Sequence, residues 1–287
     1  MRAGLIQTCA GDVPAENLAQ TSALIREAAA AGAQLCLTPE VTNIVTFSRK
    51  LQAEILRTEA EDESLAAYRA LAAELGIWLL IGSLALKAED DPGQERPRFV
   101  NRSFLIDAAG GIVARYDKIH MFDVEVGEGE SYRESAAYRP GEQAVVADTP
   151  WGRIGMTICY DLRFPALYRA LAEAGAEILT IPSAFTRPTG AAHWHALMRA
   201  RAIETGCFVL APASTGEHPV IAAEGGRVRQ TYGHSLAVDP WGEVLADGGE
   251  STGAILVDLD LSRVAETRAR IPSLANARGF AAPTAEG

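Results

Sequence analysis

Ala31-Gly-Ala-Gln-Leu-Cys-Leu-Thr-Pro-Glu40 returns later in the chain as Ala174-Gly-Ala-Glu-Ile-Leu-Thr-Ile-Pro-Ser183. In both copies an alanine-rich helical stretch stops at a glycine, and a short apolar run then leads to a proline. That is the signature of a helix feeding a strand. The segments that follow recur in the same order. A helix, Gly76 and a strand over Ile77 to Ile81 answer to a helix, Gly206 and a strand over Cys207 to Ala211. The hairpin Ser103-Phe-Leu-Ile-Asp-Ala-Ala-Gly-Gly-Ile-Val113 matches Ser235-Leu-Ala-Val-Asp-Pro-Trp-Gly-Glu-Val-Leu245. Two similar α/β halves follow, each a mixed sheet with its helices on one face. The uncovered sheet faces must bury against each other, which implies a layered α-β-β-α sandwich with one continuous core. Residues 1–280 are therefore expected to form a single domain, and residues 281–287 a frayed tail.

Composition narrows the partners. The 287 residues are 48% hydrophobic and 22% charged, ordinary globular usage. A formal charge of −11 disfavours nucleic acid and anionic membrane, which are bound through clustered Lys and Arg, and favours a small molecule. The first residues carry no signal-peptide pattern, and no run is long and apolar enough to span a bilayer. Cys9, Cys36, Cys159 and Cys207 lack metal-finger spacing, and a chain of this size needs no disulfide framework, so a reducing cytoplasm is the expected compartment. Cys9, Cys36 and Cys207 lie in or beside apolar strand-like runs and read as small buried hydrophobes.

Cys159 is different. Arg153-Ile-Gly-Met-Thr-Ile-Cys159-Tyr-Asp-Leu-Arg-Phe-Pro165 reads as a strand ending at the cysteine, with a helix beginning near Pro165. Free thiols near pH 7 are only a few per cent thiolate, so a nucleophilic Cys159 needs a partner. Glu40 follows the strand over Gln34 to Leu37, and Lys118 follows the strand over Ile112 to Tyr116. Both can reach the rim of strand ends where α/β proteins bind ligands. A carboxylate can take the thiol proton and an ammonium can hold an oxyanion. His120, close to Lys118, leaves a protease-like Cys-His pair open.

Leu37-Thr-Pro-Glu40, Tyr116-Asp-Lys118-Ile-His-Met-Phe-Asp123, Gly155-Met-Thr-Ile-Cys159-Tyr-Asp-Leu-Arg-Phe-Pro165 and Tyr232-Gly-His-Ser235 with Asp239-Pro-Trp-Gly242 together closely resemble the nitrilase superfamily, the carbon-nitrogen hydrolases. The resemblance runs from about Arg2 to Arg278. It implies Glu40 as general base, Lys118 as oxyanion stabiliser and Cys159 as nucleophile, with Glu134 as a second glutamate beside the lysine. It also implies the Tyr160 backbone N–H as an oxyanion donor, a four-layer sandwich, a homodimer or higher homo-oligomer, and no metal or organic cofactor.

Within the superfamily, Ser183-Ala-Phe-Thr-Arg-Pro-Thr-Gly190, His193-Trp194 and Arg199-Ala-Arg-Ala-Ile-Glu-Thr-Gly206 resemble the branch acting on deaminated glutathione, whose near relative is ω-amidase. Such substrates are anionic amides, and Arg163 and Arg187 are candidate carboxylate clamps. A nitrilase, a carbamoylase or a catalytically silent scaffold of the same fold are the alternatives. The stretch 214–229 is long and glycine-rich for this branch. His193 and His195 are two apart on a helix and point to different sides, against a zinc site there. Gly110-Gly111 and Gly225-Gly226 lack the Lys-Ser/Thr of a phosphate loop.

Overall fold

In the computed structural model the described residues are 1–89, 98–127, 130–221 and 228–282. The expected tail over residues 281–287 lies, from residue 283 on, outside them, as do residues 222–227 of the 214–229 stretch. The first half runs β1 (Arg2–Gln7), α1 (Pro14–Ala30), β2 (Leu35–Leu37), α2 (Arg49–Ile55), α3 (Glu63–Leu75), β3 (Trp78–Lys87), β4 (Phe99–Ile106) and β5 (Ile112–Asp117). A two-stranded ribbon, β6 (Asp123–Gly127) with β7 (Glu130–Arg133), leads out of it. The second half runs β8 (Val145–Thr149), β9 (Gly152–Met156), α4 (Pro165–Glu173), β10 (Ile178–Thr180), α5 (Arg187–Thr205), β11 (Phe208–Ala211), a ribbon of β12 (Thr215–Glu217) and β13 (Gln230–Tyr232), then β14 (Leu236–Val238) and β15 (Val244–Asp247). The chain returns to the first sheet with β16 (Gly253–Asp258) and closes on α6 (Ser262–Arg270).

The duplication read from the sequence is carried by the hydrogen-bond ladders. The first sheet has the order β16-β1-β2-β3-β4-β5 and the second the order β8-β9-β10-β11-β14-β15. Each holds three central parallel strands, an antiparallel hairpin on one side and an antiparallel edge strand on the other. The helix ends correspond too. Gly76 and Gly206 both close their helices in the left-handed region, at φ 64° and 62°, a conformation that glycine adopts without a steric cost.

Side chains alternate across the strands, and that alternation builds the layers. Leu5, Leu37 and Leu80 point between the sheets and join Met156, Ile178 and Leu210 in one buried cluster. Their neighbours Ile6, Cys36 and Leu79 point the other way, to Ile25, Ala28 and Leu71 of α1 and α3. The structure is thus an α-β-β-α sandwich whose central core draws on both halves. Two details differ from the sequence reading. β3 runs on to Lys87, beyond the expected end at Ile81, and Cys159 opens a 3-10 turn (Cys159–Arg163) that separates β9 from α4. None of the helices among the described residues is long and apolar enough to cross a membrane.

Candidate active site

Three loops bring the chemistry to one end of the sandwich. The first leaves β2 as Thr38-Pro39-Glu40 and turns sharply, with Val41 in the left-handed region at φ 47°. Thr42 Oγ1 donates to the Pro39 carbonyl, and Val41 N donates to Ser83 Oγ. Ser83 lies where the β3–β4 register shifts, between Ile81 and Leu84. Such irregularities commonly re-aim side chains beside active sites. Gly82, next to it, has no room for a side chain, since a Cβ there would overlap the Thr38 and Pro39 carbonyl oxygens and Pro182. The first loop is therefore pressed onto β3 and onto the equivalent loop of the other half.

The second loop presents Cys159. Its φ of 49° places a non-glycine residue in the left-handed region, a strained conformation that clusters at functional sites. Two contacts hold it there. Cys159 N donates to the Pro182 carbonyl at 3.0 Å, and the buried Asp161 carboxylate accepts from Ile158 N at 2.9 Å. The same carboxylate accepts from Tyr116 Oη at 2.7 Å and from His120 N at 3.0 Å, locking the cysteine turn to the third loop, which carries Lys118.

These constraints converge on a small network. Lys118 Nζ donates to Glu40 Oε1 at 2.9 Å and to Glu134 Oε2 at 2.9 Å. Asn101 Nδ2 donates to Glu40 Oε1 at 2.9 Å and spans to Glu134 Oε1 at 3.4 Å. Ala184 N donates to Glu40 Oε2 at 3.0 Å, so both carboxylate oxygens of Glu40 are held, and Cys159 lines the same cavity. Phe122 N anchors Glu134 Oε2 at 2.6 Å. Glu40, Lys118 and Cys159 are all buried.

Electrostatics follows from this packing. Burial opposes the charge on Lys118, yet the two flanking carboxylates, Glu134 and Glu40, hold its ammonium protonated well above the usual lysine range. Burial would raise the Glu40 carboxyl, but Lys118 outweighs it and holds it ionised below the ordinary range. The thiol is pushed far up, first by burial and then by the Glu40 carboxylate. A protonated Lys118, an ionised Glu40 and a neutral Cys159 thiol therefore stand side by side.

A cavity of about 310 Å³ opens over this network and is lined by Glu40, Lys118, Glu134, Cys159 and Tyr160. All four acidic, basic and thiol side chains expected from the sequence thus meet at one place. The Tyr160 N–H sits at the start of the 3-10 turn, where amides have no preceding helical carbonyl. His120 does not pair with the thiol. Its Nδ1 lies 2.7 Å from Asp161 Oδ1, and its ring stacks on Phe164 at 3.5 Å. The two arginines expected to clamp a carboxylate are elsewhere. Arg163 lies over the Phe185 ring with Nη2 3.3 Å from His193 Nδ1, Arg187 is exposed at the first turn of α5, and neither lines the cavity. Arg229, Arg49 and Arg133 line it instead. Sequence reasoning also missed Asn101, one of three consecutive polar residues in the strand Phe99–Ile106, which nothing in the sequence sets apart from Arg102 and Ser103.

Outside the cavity, His195 and His234 both lie 2.9 Å from the Asp247 carboxylate. Their donor atoms are close enough together to hold a metal ion. The carboxylate already has both imidazoles as hydrogen-bond partners, so the cluster is complete as a tie between α5 and β15.

The carbon-nitrogen hydrolase family model matches residues 2–269. A deaminated glutathione amidase from Yersinia enterocolitica is 40% identical over 276 residues, covering 96% of this chain and 92% of that protein. Among solved structures, Saccharomyces cerevisiae Nit3, described as a member of branch 10 of the nitrilase superfamily, superposes with a TM-score of 0.80 at 27% identity, over 95% of this chain and 94% of that one. An amidase mutant from Nesterenkonia sp. AN1, showing the result of Michael addition of acrylamide at its active site cysteine, superposes with a TM-score of 0.74 at 28% identity, over 95% and 98% of the two chains. With a match that spans almost every residue from the first strand to the last helix, the chain belongs to the carbon-nitrogen hydrolase family of the nitrilase superfamily.

Proposed function

We propose that the protein is a cysteine-dependent amidase that hydrolyses deaminated glutathione to 2-oxoglutarate and cysteinylglycine. The observation that carries the reading is the meeting of Cys159, Glu40 and Lys118, all buried, in the wall of one cavity, with Lys118 Nζ 2.9 Å from Glu40 Oε1. The 40% identity to the Yersinia enterocolitica enzyme supports the choice of substrate.

In this mechanism Glu40 takes the thiol proton as Cys159 Sγ attacks the amide carbonyl carbon. The oxyanion is met by the Lys118 ammonium and the Tyr160 N–H. The C–N bond then breaks, and Glu40 passes its proton to the departing amine. Water attacks the thioester and gives a proton to Glu40; the C–S bond breaks, and that proton returns to the sulfur. Glu134 works through Lys118 and is a positioning residue. The cation between two carboxylates cannot easily give up its proton, so it acts as a fixed charge.

The test is hydrolysis of deaminated glutathione and α-ketoglutaramate side by side, with wild type and Cys159→Ala. A higher kcat/KM for deaminated glutathione, lost in the variant, is the expected result. Preference for α-ketoglutaramate makes the protein an ω-amidase. Turnover that survives Cys159→Ala overturns the mechanism.

A further inference from the structure

The reacting end of the cavity is a poor host for an anion, because Lys118 is already matched by two carboxylates. A substrate that carries its own carboxylate needs a cation elsewhere in the wall. Arg133 is engaged by the Glu125 carboxylate and by backbone carbonyls of its own ribbon. Arg229 is not so occupied. Its Nη2 donates to the Ala184 carbonyl at 2.7 Å, it makes no ion pair among the described residues, and its buried Nε has no hydrogen-bond partner. The guanidinium also lies 5.7 Å from the centre of the Tyr132 ring, another lining residue. A buried cationic donor without an acceptor is costly to keep, and a planar carboxylate is the acceptor that fits a guanidinium best.

We propose that Arg229 forms an anion subsite in the cavity wall that receives a carboxylate of the amide substrate and so places the scissile carbonyl at Cys159. The inference rests on the amidase reading above and names the group that selects its substrate class. The Ala184 peptide sets the spacing. Its carbonyl takes Arg229, while its N–H serves Glu40 Oε2, so the subsite stands one peptide unit away from the reacting groups. Arg229 itself is held at its backbone, where its carbonyl accepts from His218 N at 2.9 Å at the mouth of the β12–β13 ribbon. The occupant is therefore a short amide with a carboxylate at its far end. Neutral amides of the same length lack the second anchor.

The experiment compares kcat/KM for a five-carbon 2-oxo acid amide and for a neutral amide of equal length, in wild type, Arg229→Lys and Arg229→Met. The expected result is a ratio of anionic to neutral kcat/KM that falls on the order of 10- to 100-fold in Arg229→Met, mostly through KM, the worth of one charged hydrogen-bond pair. Arg229→Lys recovers part of it. An equal loss for both amides, or no loss, overturns the subsite. Calorimetric binding of the five-carbon 2-oxo dicarboxylate to the same proteins separates this claim from the amidase reading. Binding that weakens in Arg229→Met supports the subsite even if the wild type hydrolyses neither amide. Binding that is absent from wild type, or equal in both, overturns it.

Discussion

Lys118 Nζ sits 2.9 Å from Glu40 Oε1 with both side chains withdrawn from solvent, and Glu134 completes the pair from the other side. The three groups balance only as a set. Removing one partner of a buried ion pair leaves the rest uncompensated, at a cost of about 3–5 kcal/mol.

Lys118→Met is therefore expected to abolish turnover and to lower stability by about that amount, read from denaturant unfolding. Adding Glu134→Gln removes one of the two stranded carboxylates and recovers part of the stability without recovering activity. A double variant as unstable as the sum of the singles would mean that the groups are not coupled.

His218 supplies a pH dependence. It is buried between the Ala10 carbonyl, 2.6 Å from Nδ1, and Thr231 Oγ1, 2.8 Å from Nε2. A carbonyl only accepts, so Nδ1 carries the proton and Nε2 takes the Thr231 hydroxyl. Protonating Nε2 would break that bond. Burial, with help from the Arg229 charge, lowers the folded-state pKa to about 4 from 6.5. The unfolded chain then binds the extra proton first. Stability is complete above pH 6.5 and falls as pH drops towards 4, by about 3 kcal/mol for this group. Thermal unfolding across that window is expected to show a flatter decline for His218→Gln than for wild type.

Gly82→Ala adds one carbon where Thr38, Pro39 and Pro182 already touch. Overpacking of this kind costs about 1–3 kcal/mol. The strain falls on the loops that carry Glu40 and support Cys159, so kcat should drop by more than the stability loss explains. Comparison of kcat with the unfolding midpoint checks this, and an unchanged kcat in a folded variant would refute it.

Spacing put Glu40, Lys118 and Cys159 only at strand ends, in two different sheets, and it was the resemblance of the surrounding segments to the nitrilase superfamily that singled them out. The repeat was legible because its glycines, prolines and apolar runs encode backbone conformation locally. Asn101 and Asp161 were not, since their work depends on contacts across 61 and 45 positions of chain. The arginines show the same limit. Arg163 and Arg187 lie near strand ends, as read, but side-chain direction is set by what each packs against, and Phe185 and the first turn of α5 lead them away from the cavity. Arg229 could not be placed from sequence, because its position comes from the pairing of β13 with β12.

The two halves do not contribute equivalent chemistry. Glu40, Lys118 and Glu134 precede β8, while Cys159, Ala184 and Arg229 follow it. Under the proposed mechanism, a gene cut between residues 139 and 145 would encode one fragment with the base and no nucleophile, and another with the nucleophile and no base. Neither alone could turn over substrate, and hydrolysis regained on mixing would report reassembly of the sheet-to-sheet seam as directly as any binding assay.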